Sequence, residues 1–434
     1  MTREIKSVAV LGGGTMGCGI AGLCAERDCR VLLLDVSLDA AEKALERIVN
    51  GRPPAIETPE KAANISLGSF DDDLEKIADY DWICEAVVED LATKRTLFER
   101  LEPLRRDGSV LSTNTSGIPL RDITEGMADR LRRDIAVTHF FNPVKVMRLL
   151  ELVPGTDTEQ DTIDTLADFC GGVLGKGVVY ANDTVNFIGN RIGCYLMLVG
   201  MHRAIESGLS SERIDALLST PVGLPATRLF GLIDLVGLDI MDLVGKNLAV
   251  NLPVGDLGVD FVALPGAIHE MLERGQIGRK AGGGFYRMIK HDDGSRTTET
   301  FDLATGDWRA TEPVTLDAAH SGLDVVLGSD AEGEFCWHVI GATLAYAADL
   351  VPEIAEDVVN IDRAMRWGYG WARGPFEMLD ALGPEKVAAR LEADRLHVPK
   401  MLQVLRDAGA RSFYHNNGAG YLGLDGTYHP TPPE

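Results

Sequence analysis

Val8-Ala9-Val10-Leu11-Gly12-Gly13-Gly14-Thr15-Met16-Gly17 is a short apolar run ending in a glycine-rich turn, and Cys18-Gly19-Ile20-Ala21-Gly22-Leu23-Cys24-Ala25 continues it as a helix. A strand that stops at Gly12-x-Gly14-x-x-Gly17 and opens a helix frames a dinucleotide-binding turn. Gly12 permits the tight bend, Gly14 lets backbone N–H groups approach a pyrophosphate, and Gly17 lets helix and strand pack closely, with Thr15 and Met16 at the positive helix end. Glycine turns before helices are common, so the surrounding pattern decides. A second apolar strand, Arg30 to Val36, follows and carries Asp35, 18 residues past Gly17. A carboxylate there can accept hydrogen bonds from an adenosine ribose and would repel a 2′-phosphate, which points to NAD over NADP.

Working outward, strands are expected near 5–11, 30–36, 65–70, 82–87, 109–114, 134–140, 148–153 and 177–182, with helical segments between most of them. Such alternation predicts a largely parallel, Rossmann-like doubly wound sheet with helices on both faces. From Val185 the pattern turns helical, with apolar positions at Ile188, Ile192, Tyr195, Leu196, Val199 and Ile205. The helical part contains an internal echo. Ile214-Asp215 leads to Leu232-Ile233-Asp234, and Ile361-Asp362 leads likewise to Met378-Leu379-Asp380, with Asp-to-Asp spacings of 19 and 18 residues and an offset of 147. Two copies of one helical module account for this. Between them Lys290 to Glu312 is polar and reads as hairpin or linker. The expected fold class is therefore α/β plus all-α, divided as 1–183 (dinucleotide-binding), 184–290 (first helical domain), 291–328 (linker or hairpin) and 329–434 (second helical domain).

Composition narrows the function. The chain has 434 residues, 45% apolar and 25% charged, as expected of an ordinary globular protein of several domains. No apolar stretch reaches membrane-spanning length, and the first strand begins within a few residues of Met1, so a cytoplasmic location without signal peptide is expected. A formal charge of −24 argues against nucleic acid or anionic membrane as partner. The seven cysteines show no paired metal-ligand spacing, which predicts reduced thiols and no metal site. Thr431-Pro432-Pro433-Glu434 has the composition of a linker.

Three segments hold polar residues suited to hydrogen transfer. Ser112-Thr113-Asn114-Thr115-Ser116 follows an apolar strand at the edge where open parallel sheets bind ligands. Val137-Thr138-His139-Phe140-Phe141-Asn142-Pro143 ends another strand at that edge. Glu151 follows His139 by 12 residues on an expected neighbouring strand. A histidine with a carboxylate partner is a competent general base, because the carboxylate selects the tautomer and stabilises the imidazolium. From spacing alone, His139 is equally readable as a core histidine bonded to a backbone carbonyl, and Glu151 as a solvated strand residue.

His139-Phe140-Phe141-Asn142-Pro143 with Glu151, preceded by Asn114-Thr115-Ser116 and followed by Asp183-Thr184-x-Asn186-Phe187-Ile188-x-Asn190-Arg191, resembles the 3-hydroxyacyl-CoA dehydrogenase family. Ile277-Gly278-Arg279-Lys280-Ala281-Gly282-Gly283-Gly284-Phe285-Tyr286 resembles that family's closing motif, and the duplicated module is similar to members with two C-terminal domains. The resemblance implies that His139 is the base, that Glu151 orients it, and that Ser116 and Asn190 hydrogen-bond the reacting oxygen or the thioester carbonyl. It places Gly12, Gly14, Gly17 and Asp35 on the adenosine diphosphate half of NAD, and Glu89, Lys94 and Asn142, with Asn114, near the nicotinamide ribose. Without that resemblance, Lys94 reads as a surface lysine on a charged helix. The sequence departs from the family pattern at Val185, where proline is usual, at Gly117, where a second serine is frequent, and at Gly283, where lysine is common. The second module lacks an Asn-Arg pair, having Trp337-His338 nearby, and is read as structural.

The implied activity is NAD-dependent oxidation of an (S)-3-hydroxyacyl-CoA, with acyl-CoA as substrate and a homodimer, or association with other β-oxidation enzymes, as the expected assembly. Two alternatives stay open at this point. A catalytically retired dinucleotide-binding protein would form no NADH from such a substrate, and a dehydrogenase of a free hydroxy acid would ignore competing coenzyme A.

Overall fold

Strand β1 (Ser7–Leu11) is buried at all five positions, as an apolar strand covered on both faces must be. The same holds along β4 (Trp82–Glu85), β5 (Val110–Thr113) and β6 (Ile135–Phe140). In the computed structural model, which describes residues 3–434, these strands join β2 (Arg30–Asp35), β3 (Ile65–Ser69), β7 (Leu149–Pro154) and β8 (Gly177–Tyr180) in one sheet of order β3-β2-β1-β4-β5-β6-β7-β8. From β3 to β6 all neighbours are parallel, β6 and β7 are antiparallel, and β7 and β8 are parallel. The chain leaves β1 towards β3 and returns on the other side with β4. Ligands of such sheets bind at that reversal, outside the strand ends.

Helix α1 (Thr15–Glu26) starts directly after the glycine turn, and α2 (Leu38–Asn50) and α3 (Leu91–Leu101) follow β2 and β4. The caps of α2 and α3 are legible in the sequence: the Ser37 hydroxyl accepts from Ala40 N–H and the Asp90 carboxylate from Thr93 N–H. By contrast α1 begins at Gly14 with no side-chain cap and no acidic residue in its first turn.

The chain divides into two compact units, one running to Ile188 and including Glu353–Glu356 and Glu434, the other comprising Gly189–Pro352 and Asp357–Pro433. The helix expected from Val185 begins at Gly189, because Asn186 and Phe187 take left-handed backbone, φ +62° and +50°. Four residues read as helix thus belong to the first unit, where their contacts serve the site described below.

The second unit is mainly helical, and its duplicated aspartates are structural locks. Asp234 accepts from Phe285 N–H and Tyr286 N–H, both at 2.8 Å, while Asp215 accepts from Phe230 N–H and the Tyr286 hydroxyl. In the second copy Asp380 accepts from Phe413 N–H and Tyr414 N–H, and Asp362 from Phe376 N–H and the Tyr414 hydroxyl. An aromatic pair closes each lock, Phe230 on Phe285 and Phe376 on Phe413. Burial outweighs these hydrogen bonds and pushes Asp215, Asp234 and Asp380 each up to about 6.

Of the two readings of Lys290 to Glu312, hairpin or linker, the structure shows the hairpin. It folds as a three-stranded antiparallel sheet, β9 (Tyr286–Lys290), β10 (Arg296–Phe301) and β11 (Trp308–Ala310), with left-handed Gly294 and Gly306 in its turns. Phe301 packs edge-on against Trp308 across the β10–β11 pair. The seven cysteines are all buried and unpaired by disulfides. Among the described residues no helix is long and apolar enough to cross a membrane, and no cluster of His, Cys, Asp or Glu could hold a metal ion.

Candidate active site

The glycines of the first turn do three different jobs. Gly12 has φ +103°, and a Cβ there would lie 2.6 Å from the Ala86 carbonyl oxygen at the end of β4. At Gly17 a Cβ would strike the Gly12 carbonyl oxygen at 1.8 Å, so helix and turn pack without room for a side chain. Gly14 is different, because nothing lies within 4 Å of its would-be Cβ. Its freedom faces an open cleft of about 990 Å³ lined by Gly12 to Met16, Asp35, Arg47, Val87 to Glu89, Asn114 and Ser116.

Two features of this cleft fit a dinucleotide. The first-turn N–H groups of α1 lack any protein acceptor side chain and point where an anion is stabilised. Asp35 stands at the end of β2, held by Gly13 N–H on Oδ2 at 2.9 Å and Val36 N–H on Oδ1 at 2.7 Å. Arg47, a cation that the sequence reading passed over, donates from α2 to the Gly13 carbonyl and lines the same space. Only its position one helix beyond Asp35 could have suggested it.

At the far end of the cleft a carboxylate organises the loop after β5. Glu89 Oε1 accepts from the Thr115 hydroxyl at 2.6 Å, Ser116 N–H at 2.8 Å and Gly117 N–H at 3.1 Å. Burial alone would raise its pKa, but the nearby Lys94 charge and these donors outweigh that and hold the carboxyl below its usual range. Lys94 is itself buried. Its ammonium lies 3.2 Å from Glu89 Oε2 and 2.8 and 3.0 Å from the two oxygens of Glu85, which also accepts from the Thr113 hydroxyl and Val87 N–H. Lys94 therefore does not line the cleft; it acts on it through Glu89. Glu85, fully buried at the end of an apolar strand, is the partner that sequence reasoning missed. A charged residue closing such a strand was the available signal.

His139 and Glu151 sit directly opposite one another in the antiparallel β6–β7 register. Nδ1 of the imidazole is 2.6 Å from Glu151 Oε2, and Nε2 is 3.1 Å from Ser116 Oγ. Glu151 Oε1 accepts from Ile188 N–H at 3.1 Å, so both carboxylate oxygens are engaged. The ring is 3% exposed and is flanked by Phe141 and Phe187 at centroid distances of 4.5 and 5.6 Å. This is why residues 185–188 are not helical: their turned backbone delivers Phe187 to the imidazole and Ile188 N–H to the carboxylate. With Glu151 accepting from Nδ1–H, the Nε2 lone pair faces the Ser116 hydroxyl at the cleft's end.

The remaining sequence-predicted residues are placed as follows. Asn114 lines the cleft, and its Oδ1 accepts from Phe140 N–H at 2.9 Å, tying the ends of β5 and β6 together. Thr15 and Met16 line the cleft, whereas Gly17 is buried beneath it. Asn142 is exposed on the loop after β6, outside the cleft lining. Asn190 belongs to the second unit, in the first turn of the helix Gly189–Ser207.

Comparison with known proteins follows this geometry. Residues 7–184 match the family model described as 3-hydroxyacyl-CoA dehydrogenase, NAD binding domain, and residues 187–288 and 335–411 match that of the same family's C-terminal domain. A Bacillus subtilis protein named "Probable 3-hydroxyacyl-CoA dehydrogenase" is 34% identical across 99% of this chain and 57% of its own length. A Deinococcus radiodurans protein of the same name is 35% identical across 67% of this chain and 84% of its own. A Rickettsia felis protein bearing the name of a fatty acid oxidation complex trifunctional enzyme is 34% identical across 92% of this chain and 56% of its own length. The chain thus spans about half the length of the first curated relatives it matches. The crystal structure of an Escherichia coli 3-hydroxybutyryl-CoA dehydrogenase superposes with a TM-score of 0.72 at 24% identity, covering 92% of this chain and 98% of that one, a likeness of fold.

Proposed function

The chain belongs to the 3-hydroxyacyl-CoA dehydrogenase family, and from that premise we propose that it oxidises an (S)-3-hydroxyacyl-CoA to the 3-oxoacyl-CoA with NAD, in fatty-acid β-oxidation or a related acyl-CoA degradation route. The observation that carries this reading is the buried His139–Glu151 pair whose second ring nitrogen meets the Ser116 hydroxyl at the end of a dinucleotide-sized cleft.

In this reading neutral His139 takes the C3 hydroxyl proton on Nε2. Glu151 keeps the proton of the resting ring on Nδ1 and stabilises the imidazolium as it forms. Bound NAD supplies the acceptor for the hydrogen and electron pair that leave C3. Ser116, whose loop is fixed by three donors to Glu89, offers its hydroxyl to the reacting oxygen, and Asn190 donates from its amide to that oxygen or to the thioester carbonyl. Asp35 sets the preference for NAD by facing the adenosine ribose with a carboxylate. The glycine turn holds the diphosphate through the uncapped start of α1, which supplies local positive potential on a chain whose formal charge is −24.

We retain the four-part domain division read from the sequence, a cytoplasmic location, and a homodimer or association with other β-oxidation enzymes as parts of the same proposal. The experiment is NADH formation by the full chain with (S)-3-hydroxybutyryl-CoA and a series of longer acyl chains. Turnover is expected with NAD, and His139→Gln should lower it by about 10²–10⁴ while NAD still binds. Unchanged turnover in that variant removes the base from the scheme. Activity indifferent to free coenzyme A, with a free hydroxy acid as the better substrate, replaces the thioester.

A further inference from the structure

The second helical module lacks the Asn-Arg signature, yet it reaches the first module's copy. The Tyr369 hydroxyl, at the end of the helix Val358–Tyr369, donates to Asn190 Oδ1 at 2.9 Å. Gly193 makes this possible. A Cβ at that position, one turn beyond Asn190, would lie 2.2 Å from the phenol ring, so only a glycine lets the tyrosine lie across the helix. Next to it Arg191, almost fully buried, donates to the Tyr346 hydroxyl at 2.6 Å and pairs with Asp256, while Tyr346 stacks on Tyr195 at 4.0 Å. The first turn of this helix is thus gripped on consecutive residues by two phenols, both from the second module.

The consequence lies in the chemistry of a primary amide. An asparagine side chain presents an acceptor and a donor end, and rotation by 180° about its last bond exchanges them. With the Tyr369 hydroxyl donating to Oδ1, that end of the amide is anchored and Nδ2 is the end that has no hydrogen-bond partner among the described residues. Resting on the reading in which Asn190 donates to a substrate oxygen, we infer that Tyr369 is a positioning residue for catalysis. It holds the Asn190 amide donor-outward, so the second module, read from sequence as structural, belongs to the machinery. A flipped amide would present its carbonyl oxygen to the substrate's oxygen and repel it.

The test is a double-mutant cycle on kcat/KM with (S)-3-hydroxybutyryl-CoA and saturating NAD, in the full chain. Asn190→Ala should lower kcat/KM by about 10²-fold, in the range for losing one preorganised donor. Tyr369→Phe, which removes one oxygen and keeps the ring, should lower it about 10-fold, the worth of one neutral hydrogen bond. Thermal midpoint and NAD affinity should stay at wild-type values in Tyr369→Phe. In the Asn190→Ala background Tyr369→Phe should change kcat/KM less than twofold, because its target is gone. A role confined to packing would instead give the same loss in both backgrounds, and that result overturns the inference. So does wild-type kcat/KM in Tyr369→Phe beside a crippled Asn190→Ala, which leaves the assigned role of Asn190 standing. Wild-type kcat/KM in Asn190→Ala itself removes both.

Discussion

Replacing Glu151 by glutamine changes one oxygen to an N–H₂ group and almost nothing else in volume, so its effect isolates the carboxylate. Both oxygens are in use: Oε2 accepts from His139 Nδ1 at 2.6 Å and Oε1 from Ile188 N–H at 3.1 Å, and the carboxylate itself is fully buried. An amide has one acceptor oxygen for these two donors. If it serves Ile188, its N–H₂ faces Nδ1 and drives the ring to the tautomer with hydrogen on Nε2, which removes the lone pair that would take the substrate proton. If it serves His139, Ile188 N–H faces another donor in a dry site. A charge-assisted hydrogen bond of this kind is worth about 1.5–3 kcal/mol, and a buried unpaired donor costs about 1–3 kcal/mol. Because the two effects share one side chain and do not simply add, a loss of about 3–4 kcal/mol is expected, or about 10²–10³ in kcat/KM at 1.36 kcal/mol per decade. Steady-state NADH formation measures it, with NAD binding followed separately by fluorescence titration. The loss should fall on turnover, remain smaller than that of His139→Gln and leave NAD affinity within about threefold. A folded variant with kcat/KM near wild type would refute the tautomer argument, and so would a loss explained entirely by weaker NAD binding.

Gly14→Ala should fold with an unchanged thermal midpoint, since its methyl meets nothing in the protein, but weaken NAD about tenfold or more by occupying the cleft; Gly17→Ala, with its Cβ 1.8 Å from the Gly12 carbonyl, should lower the midpoint sharply. Wild-type NAD affinity in Gly14→Ala would contradict the placement of the cofactor. Lys94→Met leaves Glu85 buried without its cation and should cost about 3–5 kcal/mol in denaturant unfolding, with activity falling as the Ser116 loop loosens; an unaltered midpoint would reject the buried Lys94–Glu85 pair as a structural element. The aspartate locks make stability pH-dependent in a defined sense. Asp234, raised to about 6 when folded against 3.8 as its ordinary value, binds more protons folded than unfolded in that interval, so its contribution is complete below about 4 and is lost as pH rises through 6. Asp234→Asn should flatten that part of the profile, though Oδ1 and Oδ2 each hold a backbone N–H and the variant leaves one unpaired; an unchanged slope between pH 4 and 6 would show that Asp234 does not titrate there.

Much of the first unit was legible because its signals are local. A glycine that takes φ +103° and another with open space at its Cβ position follow from turn geometry, and the placing of Asp35 at the end of the next strand follows from its spacing. The internal repeat was visible because each copy keeps its two aspartates at nearly the same spacing, one serving a helix start and the other the backbone of the segment that closes the module. The helix start at Val185 was misplaced for a long-range reason: periodicity reports apolar spacing, whereas Phe187 packs on the His139 ring and the Ile188 N–H serves Glu151 from turned, not helical, backbone. Lys290 to Glu312 reads equally as hairpin or linker from sequence because it is polar and lacks apolar alternation; its strands are joined by backbone ladders, the Arg287–Glu299 pair and the Phe301–Trp308 contact.

The sequence by itself determined the turn, the alternation that makes the sheet, and the inventory of groups able to move a proton. Tertiary structure decided how those groups meet. His139 opposes Glu151 only through the β6–β7 register; Lys94 becomes a buried strut only because Glu85 closes a strand covered on both faces; and Asn190 has one face of its amide taken by a tyrosine 179 residues away. Local rules specify which conformation a segment prefers, whereas a charge's partner, a ring's tautomer and an amide's orientation depend on side chains brought together from distant positions in a low-dielectric interior, where an unpaired group is most costly.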